Sequence, residues 1–387
     1  MAHSTTVFAQ LLRFVGKHDF NRIERNGFQP RRRYRTLSRW SQFAVMVFAQ
    51  ITGRTGLRDM VDQFQIQASR LYHLGAKPVK RSTLADANRH RPAEFYKALF
   101  AHLYGKCASV APKKKFRFKN KLFSLDSSVV SLCLSVFPWA RHDDKRGGIR
   151  LHTVLDHDGH IPAFVNITEA RGAELVQARR MKFPKGSILA FDRGYIDFKW
   201  LHRLHVDGVL FVTRMTRNLK YKVMKSHKVI ESKGIIRDET IRFNGPKAKN
   251  CPISLRRIEY YEEKSGKTYV FMTNILHLCA KTIADIYQER WQIEVFFRWI
   301  KQNLKIKTFF GTSENAVLSQ IWIALITLLL LAYFKFKSKL GESLSEIHRR
   351  LELNLMSRKS FWELFNPPEP KPKKVLVNQL HMYFKAL

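Results

Sequence analysis

The sequence has few acids, few cysteines and no long uninterrupted apolar run, and each shortage excludes something. Its 387 residues carry 31 Asp+Glu against 69 Lys+Arg, a formal net charge of +38. That excess is far beyond what solubility needs and points to a polyanionic partner, nucleic acid first. Four cysteines (Cys107, Cys133, Cys251, Cys279) stand far apart with no C-x-x-C pair. This argues against a zinc module or a disulfide framework and suits a reducing compartment. Glycine and proline are modest at 18 and 13, and 45% of residues are hydrophobic, so the chain reads as globular rather than disordered. The N-terminal stretch lacks the apolar core and small-residue cleavage site of a secretory signal. The strongest apolar run, Ile321 to Phe334, has 14 residues, short of the roughly 20 needed to span a bilayer, and reads as a buried helix. The expectation is a soluble protein of the bacterial cytoplasm, associated with the nucleoid.

The charge is uneven. Residues 1–120 hold 24 Lys+Arg and 6 Asp+Glu, about twice the density of positive charge in the rest of the chain. This front region reads as helical, with Ser38, Thr55 and Thr83 as candidate caps. Arg31, Arg32, Arg33 and Arg35 precede the first of these helices, and Lys113, Lys114, Lys115, Arg117 and Lys119 close the region. Short helices with basic arms are a common way to hold a duplex, so residues 1–115 are assigned to DNA-end binding. A helical dimerisation domain is the competing reading.

After residue 120 the period changes to that of strands. Leu122–Leu132, Ile149–Leu155, Ile161–Ile167, Ile188–Phe191 and Val209–Val212 are the expected strands, with helices near 172–181 and 197–206. Residues 215–276 read as a β-rich insertion, Thr282 to about Leu304 as one long helix, and residues 336–387 as a helical C-terminal region. Asp156, His157, Asp158, Gly159 and His160 hold enough ligand types for a metal site. Asp-Gly between two strand-like runs is also a strong hairpin signal, and turn chemistry explains these residues more simply.

This order of elements is that of an RNase H-like core over residues 120–214 and 277–335. There the first strand is central and the fourth lies beside it, so an acid within the first and one at the end of the fourth would face each other. Asp126 and Asp192 hold those places, and an Asp inside an apolar strand is costly unless paired or metal-bound. On the long helix, Tyr287, Arg290, Glu294 and Lys301 point to about 0°, 300°, 340° and 320°, an arc of about 60°. Ile286, Ile293, Phe297, Ile300 and Leu304 lie at about 220–280° and would dock the helix. A solvated i, i+4 pair accounts for Arg290 and Glu294, but not for Tyr287 and Lys301 on the same stripe.

The spacing Tyr-x2-Arg-x3-Glu-x6-Lys, with Asp126 and the Asp192-Arg193-Gly194-Tyr195 turn, resembles the DDE transposases of bacterial insertion sequences, in the group with the Y-R-E-K signature. The resemblance covers nearly the whole chain. It implies an α/β fold: an RNase H-like catalytic core with a β-rich insertion, an all-α DNA-binding region before it and helices after it. It implies that Asp126, Asp192 and Glu294 hold two Mg²⁺ ions, with Mn²⁺ as a substitute, for DNA cleavage and strand transfer. Arg290 and Lys301 would neutralise phosphates, and Tyr287 would bond a phosphate oxygen. Trp291 is open to two roles, stacking on a base or packing between helix and insertion. The partners implied are double-stranded DNA, both terminal inverted repeats and target, and a second protomer in the DNA complex. An end-binding repressor or a structure-selective nuclease on the same fold is the alternative. Two departures stand out. No Trp occurs between Trp200 and Trp291, so Tyr260, Tyr261, Tyr269 and Phe271 are the candidate substitutes for the insertion Trp on which some relatives stack a flipped base when they cut through a hairpin. Glu174 stands where relatives often carry His-Asp, and its acidic role is left open. His152 reads as structural.

Overall fold

The computed structural model describes residues 5–30, 34, 36–140, 147–171, 174–229 and 234–366. Arg31, Arg32, Arg33 and Arg35, the basic run expected to grip DNA, lie outside the described residues, as do Ala173 and everything beyond Asn366. The front region is helical: α1 (Val7–Arg13), α2 (Lys17–Arg25), α3 (Arg39–Ile51), α4 (Leu57–Ile66), α5 (Arg81–His90) and α6 (Glu94–Val110). Ser38 caps α3, its side chain accepting the Ser41 amide. Thr55 and Thr83 are not caps. The chain becomes helical directly after the extended residues Gly56 and Lys80, which leaves Thr55 outside α4 and Thr83 within α5.

The middle of the chain supplies β1 (Leu122–Leu132), β2 (Gly147–Asp156), β3 (Ile161–Glu169), α7 (Glu174–Arg180), β4 (Ile188–Phe191), α8 (Phe198–Val206) and β5 (Leu210–Arg214). The insertion adds β6 (Tyr221–Ser226), β7 (Ile235–Phe243), β8 (Leu255–Glu262) and β9 (Lys267–Thr273). Among the described residues the nine strands form one sheet in the order β3-β2-β1-β4-β5-β9-β8-β7-β6. β1 runs antiparallel to β2 and parallel to β4, so the fourth strand does lie beside the first. The insertion is a continuation of the sheet: β9 pairs antiparallel with β5. Residues 157–160 form the turn between β2 and β3 that the Asp-Gly signal predicts, with the left-handed backbone at Gly159 (φ 78°) and His160 (φ 52°) and not at Asp158.

Side-chain alternation along β1 and β4 sorts their residues to two faces. Phe123, Leu125, Leu189 and Phe191 join the core under α8 with Trp200, Leu201 and Leu204. Leu122, Ile188 and Ala190 join the opposite core with Ile283, Ala284 and Ile286 of α9 (Ala280–Glu289).

The long helix expected over 282–304 is two helices, α9 and α10 (Gln292–Asn303), separated at Arg290–Trp291. The separation is a tightening of the turn rather than a loop: the Arg290, Trp291, Ile293 and Glu294 amides all bond three residues back instead of four. All five predicted docking residues are buried, but they serve different cores. Ile286 packs on the sheet, whereas Ile293, Phe297, Ile300 and Leu304 pack into the helical core.

Then come α11 (Glu314–Lys337), α12 (Leu344–Asn354) and α13 (Phe361–Phe365). At 24 residues α11 is longer than its apolar run suggested, and by length and composition alone could cross a membrane. Its surroundings decide otherwise. It packs against α3, α5 and α6, and its side chains from Ile321 to Ala332 are all buried. The apolar side chains of the front helices run into this same core, together with α10, β2 and β3.

Candidate active site

The parallel ladder of β1 and β4 runs from Leu122–Ile188 to Leu125–Phe191. One step further in the same register sets Asp126 against Asp192, both on the face that α9 covers. The Tyr287 hydroxyl, on α9, donates to Asp192 Oδ1 at 3.4 Å. From the break between the two helices, Arg290 reaches over the strands: Nη1 lies 3.6 Å from Asp126 Oδ2, and Nη2 donates to Glu294 Oε1 at 2.8 Å. Two turns of α10 beyond Glu294, Lys301 Nζ donates to Ser128 Oγ at 2.7 Å and to the Val129 carbonyl at 3.0 Å. The Tyr and Arg of the sequence stripe therefore touch the two strand acids, Glu294 joins them through Arg290, and Lys301 docks on β1 two and three residues beyond Asp126. Trp291 is half exposed at the rim and lines a cleft of about 870 Å³ beside Asp192, Arg214, Tyr260, Tyr269 and Phe271. Tyr261 is exposed on β8.

The electrostatics are unequal. Burial pushes the Asp126 carboxyl up from 3.8 to about 6, overcoming the Ser127 amide and Arg290, and the negative charges of Glu174 and Glu294 add to the rise. Burial likewise pushes Tyr287 up to about 12. Burial works against the Arg290 guanidinium, but Tyr287, Glu294 and Asp126 hold it firmly charged. Burial and Lys307 lower Lys301. One half-buried cation is thus shared by two carboxylates, and one of these remains under-neutralised.

This donor set fits a hard divalent cation. It offers carboxylate oxygens from three elements, and a positive charge already stands where one is needed. The carboxyl groups of Asp126, Asp192 and Glu294 are nevertheless not drawn to within 4.8 Å of one another. Among the described residues that spacing is met only by His157, His160 and Glu289. Arg290 lies between two of the acids, and Tyr287 holds the third.

Further side chains surround the two strand acids. Glu174 Oε1 accepts the Ser127 hydroxyl at 2.8 Å and is paired with Arg150, so it stands on the α7 side of the same strand position. Ser128 shares the face of Asp126 by alternation, a signal that would have found it. Arg150 and Arg214 carried no local signal, whereas Arg193, which lines the cleft, belongs to the Asp192-Arg193-Gly194-Tyr195 turn. His152 is buried, its Nε2 lies 3.0 Å from Thr168 Oγ1, and burial lowers it to about 4, all as a structural histidine would have it.

A family model described as a transposase DDE domain matches residues 117–330, and one described as a domain of unknown function matches residues 3–77. "Putative transposase y4zB" of Sinorhizobium fredii is 31% identical over 75% of this chain and 81% of its own. "Probable transposase for insertion sequence element IS5377" of Geobacillus stearothermophilus is 33% identical over 69% of this chain and 71% of its own. The piggyBac transposase synaptic complex with hairpin DNA aligns over 96% of this chain and 83% of that one, at 13% identity and a TM-score of 0.46. That last likeness is too loose to bear on the site.

Proposed function

The chain belongs to the DDE transposase family of insertion sequences, and on that premise we propose that it binds the terminal inverted repeats of its own element, cuts there and joins the ends to target DNA in a Mg²⁺-dependent reaction. The observation that carries this reading is the convergence of Asp126, Asp192 and Glu294 under Tyr287, Arg290 and Lys301. The sheet order β3-β2-β1-β4-β5 with β2 antiparallel supports reading the catalytic part as RNase H-like.

In this reading Asp126, Asp192 and Glu294 hold two divalent ions, Mg²⁺ or Mn²⁺. Bound there, these supply activation of the attacking oxygen and charge neutralisation at the leaving one. The chain's own residues do the rest. Arg290, which pairs with Asp126 and Glu294, would present its guanidinium to the phosphate flanking the scissile bond, where a fork of donors suits two oxygens. Lys301 adds a point charge two helical turns beyond Glu294. Tyr287, whose hydroxyl stays protonated at neutral pH, donates to a phosphate oxygen. Trp291 offers a half-exposed ring to an unstacked base at the cleft rim, and Tyr260, Tyr269 and Phe271 line the opposite wall. Positive charge on the front helices, with Arg31, Arg32, Arg33 and Arg35, supplies phosphate contacts along the duplex. Two protomers bridge two ends, in the bacterial cytoplasm.

The test is a labelled inverted-repeat end incubated with Mg²⁺ and wild type, Asp126→Asn, Asp192→Asn or Glu294→Gln. Cleavage and joining by wild type alone support the reading. Cleavage that survives the substitutions removes the site assignment. Wild type that binds the end yet fails to cut whatever divalent ion is supplied leaves the repressor, and cutting without joining leaves the nuclease.

A further inference from the structure

The β2–β3 turn does more than reverse the chain. It brings His157 and His160 to Glu289, the last residue of α9, with one ligand atom of each within 4.8 Å of the others. His157 is 2% exposed. Its Nε2 lies 2.7 Å from Ser124 Oγ, while its Nδ1 is buried with no hydrogen-bond partner. An orphaned buried nitrogen is costly unless something fills its place. The arrangement is also that of a ligating imidazole, in which a hydrogen bond at one ring nitrogen fixes the tautomer and frees the other. His160 holds a left-handed φ of 52°, which sets its ring 5.5 Å from that of His157 and its Nε2 3.9 Å from Glu289 Oε2. The turn cannot easily relax. A Cβ on Gly159 would come within 2.8 Å of the Phe336 ring and 3.0 Å of Ala111. The three side chains share a cavity of about 250 Å³.

The neighbouring charges do not forbid a cation. Lys113 is engaged by Asp158, and Lys121 by both Asp156 and Asp158. Lys114 lies over the Phe118 ring, and Lys115 acts on Glu289.

We propose that His157, His160 and Glu289 bind one transition-metal ion of the zinc class, with water as fourth ligand, at a site separate from Asp126, Asp192 and Glu294. Two imidazoles and one carboxylate form a ligand set that zinc accepts and that Mg²⁺ does not favour. Zinc bonds of about 2.0–2.2 Å set tetrahedral ligand atoms about 3.4 Å apart, so the cluster must close by an ångström or so, mainly through the partly exposed Glu289 and His160 side chains. The ion would tie the turn beside β1 to the residue preceding Arg290. It would therefore brace the break from which Arg290 and Glu294 reach the acids.

The untagged full-length protein, stripped with chelator and dialysed, is titrated with Co²⁺ and read by visible d–d absorption, then competed with Zn²⁺. Wild type and Asp126→Asn/Glu294→Gln are expected to take up one equivalent that Zn²⁺ displaces and excess Mg²⁺ does not. His160→Asn, which tolerates the left-handed backbone, and Glu289→Gln are each expected to weaken Co²⁺ binding at least tenfold, with circular dichroism unchanged. A wild type without absorption at stoichiometric Co²⁺ overturns the proposal. So does a signal that persists in both turn-site variants or vanishes with the catalytic acids.

Discussion

Asp19 in the helical region and Asp126 in the sheet are treated in opposite ways by one strongly basic chain. Asp19 bonds Lys106 Nζ at 2.6 Å and Arg22 at 3.0 Å, with His102 at 3.1 Å. The Lys106 bond, more than any other contact, brings its carboxyl down to about 2 despite partial burial. Its neighbourhood repeats the pattern: Glu24 pairs with Arg39, which is buried and also donates to the Phe28 carbonyl and to Tyr34. Arg91, also buried, donates to Gln42 and the Leu37 carbonyl. Part of the positive charge in the front helices is therefore structural and unavailable to DNA. Asp126 has only a share in Arg290 and is pushed up to about 6. Matched acids hold helices together; an acid left short of cations is a place for one to bind.

The largest test of that contrast is chemical. Asp126→Asn, Asp192→Asn and Glu294→Gln should each lower Mg²⁺-dependent end cleavage by on the order of 10³-fold, about 4 kcal/mol of lost transition-state stabilisation. Asp19→Asn should leave the cleavage rate within about twofold, because surface pairs contribute little and do not touch the reacting phosphate. Rates in single-turnover assays on one labelled end compare all four. Equal losses from Asp19→Asn and Asp126→Asn would erase the distinction.

Metal linkage comes next. An ion that binds only the folded protein stabilises it by about 2.7 kcal/mol at a hundred times its dissociation constant. Saturating Mg²⁺ should raise the urea midpoint of wild type and of Asp19→Asn, and should leave that of Asp126→Asn/Glu294→Gln unmoved. A rise in the double variant equal to wild type's would mean that Mg²⁺ binds elsewhere.

The sequence made the strand part of this contrast readable. Asp126 breaks an apolar run and Asp192 ends one, and period-2 alternation with a parallel β1–β4 pair is enough to bring both to one face. The helical stripe was readable too, because Tyr287, Arg290, Glu294 and Lys301 keep nearly one angle even though the helix tightens between them. The tightening itself was not readable: Arg290 and Trp291 are neither Gly nor Pro, and nothing local marks a change from four-residue to three-residue bonding. Nor was Glu289 as the neighbour of His157 and His160, since turn chemistry accounts for the histidines and the third ligand is far along the chain. Buried Arg39 and Arg91 were invisible for a related reason, as composition counts a cation without saying what neutralises it.

A smaller effect follows from Arg290, which stands between the two conditions as a cation lent to Asp126 and Glu294. Arg290→Ala should destabilise the metal-free protein by about 1–3 kcal/mol, the cost of leaving partly buried charge unpaired. The same change removes a competitor for the carboxylates, so Mg²⁺ should bind a few-fold more tightly while cleavage falls. Isothermal titration and urea midpoints of the variant read the two signs together. Weaker Mg²⁺ binding in Arg290→Ala would show that the guanidinium supports the metal site instead of standing in for it.

The smallest expected effect belongs to Asp19 and tests the helical side. Its folded value of about 2 lies below its ordinary 3.8, so the folded state favours the charged form. The stability it contributes is therefore complete above about 4 and is lost as pH falls from there through about 2. A shift of that size corresponds to at most about 2.5 kcal/mol, and solvent screening at this partly exposed carboxylate reduces it to about 1 kcal/mol. Wild type should thus lose about 1 kcal/mol more than Asp19→Asn between pH 5 and pH 2.5, as read from urea midpoints at matched ionic strength. Lys106→Ala should behave like Asp19→Asn, since its bond is the chief cause of the shift. High salt should shrink the difference without moving the Mg²⁺ response of the sheet site, where burial rather than solvent sets the carboxyl of Asp126.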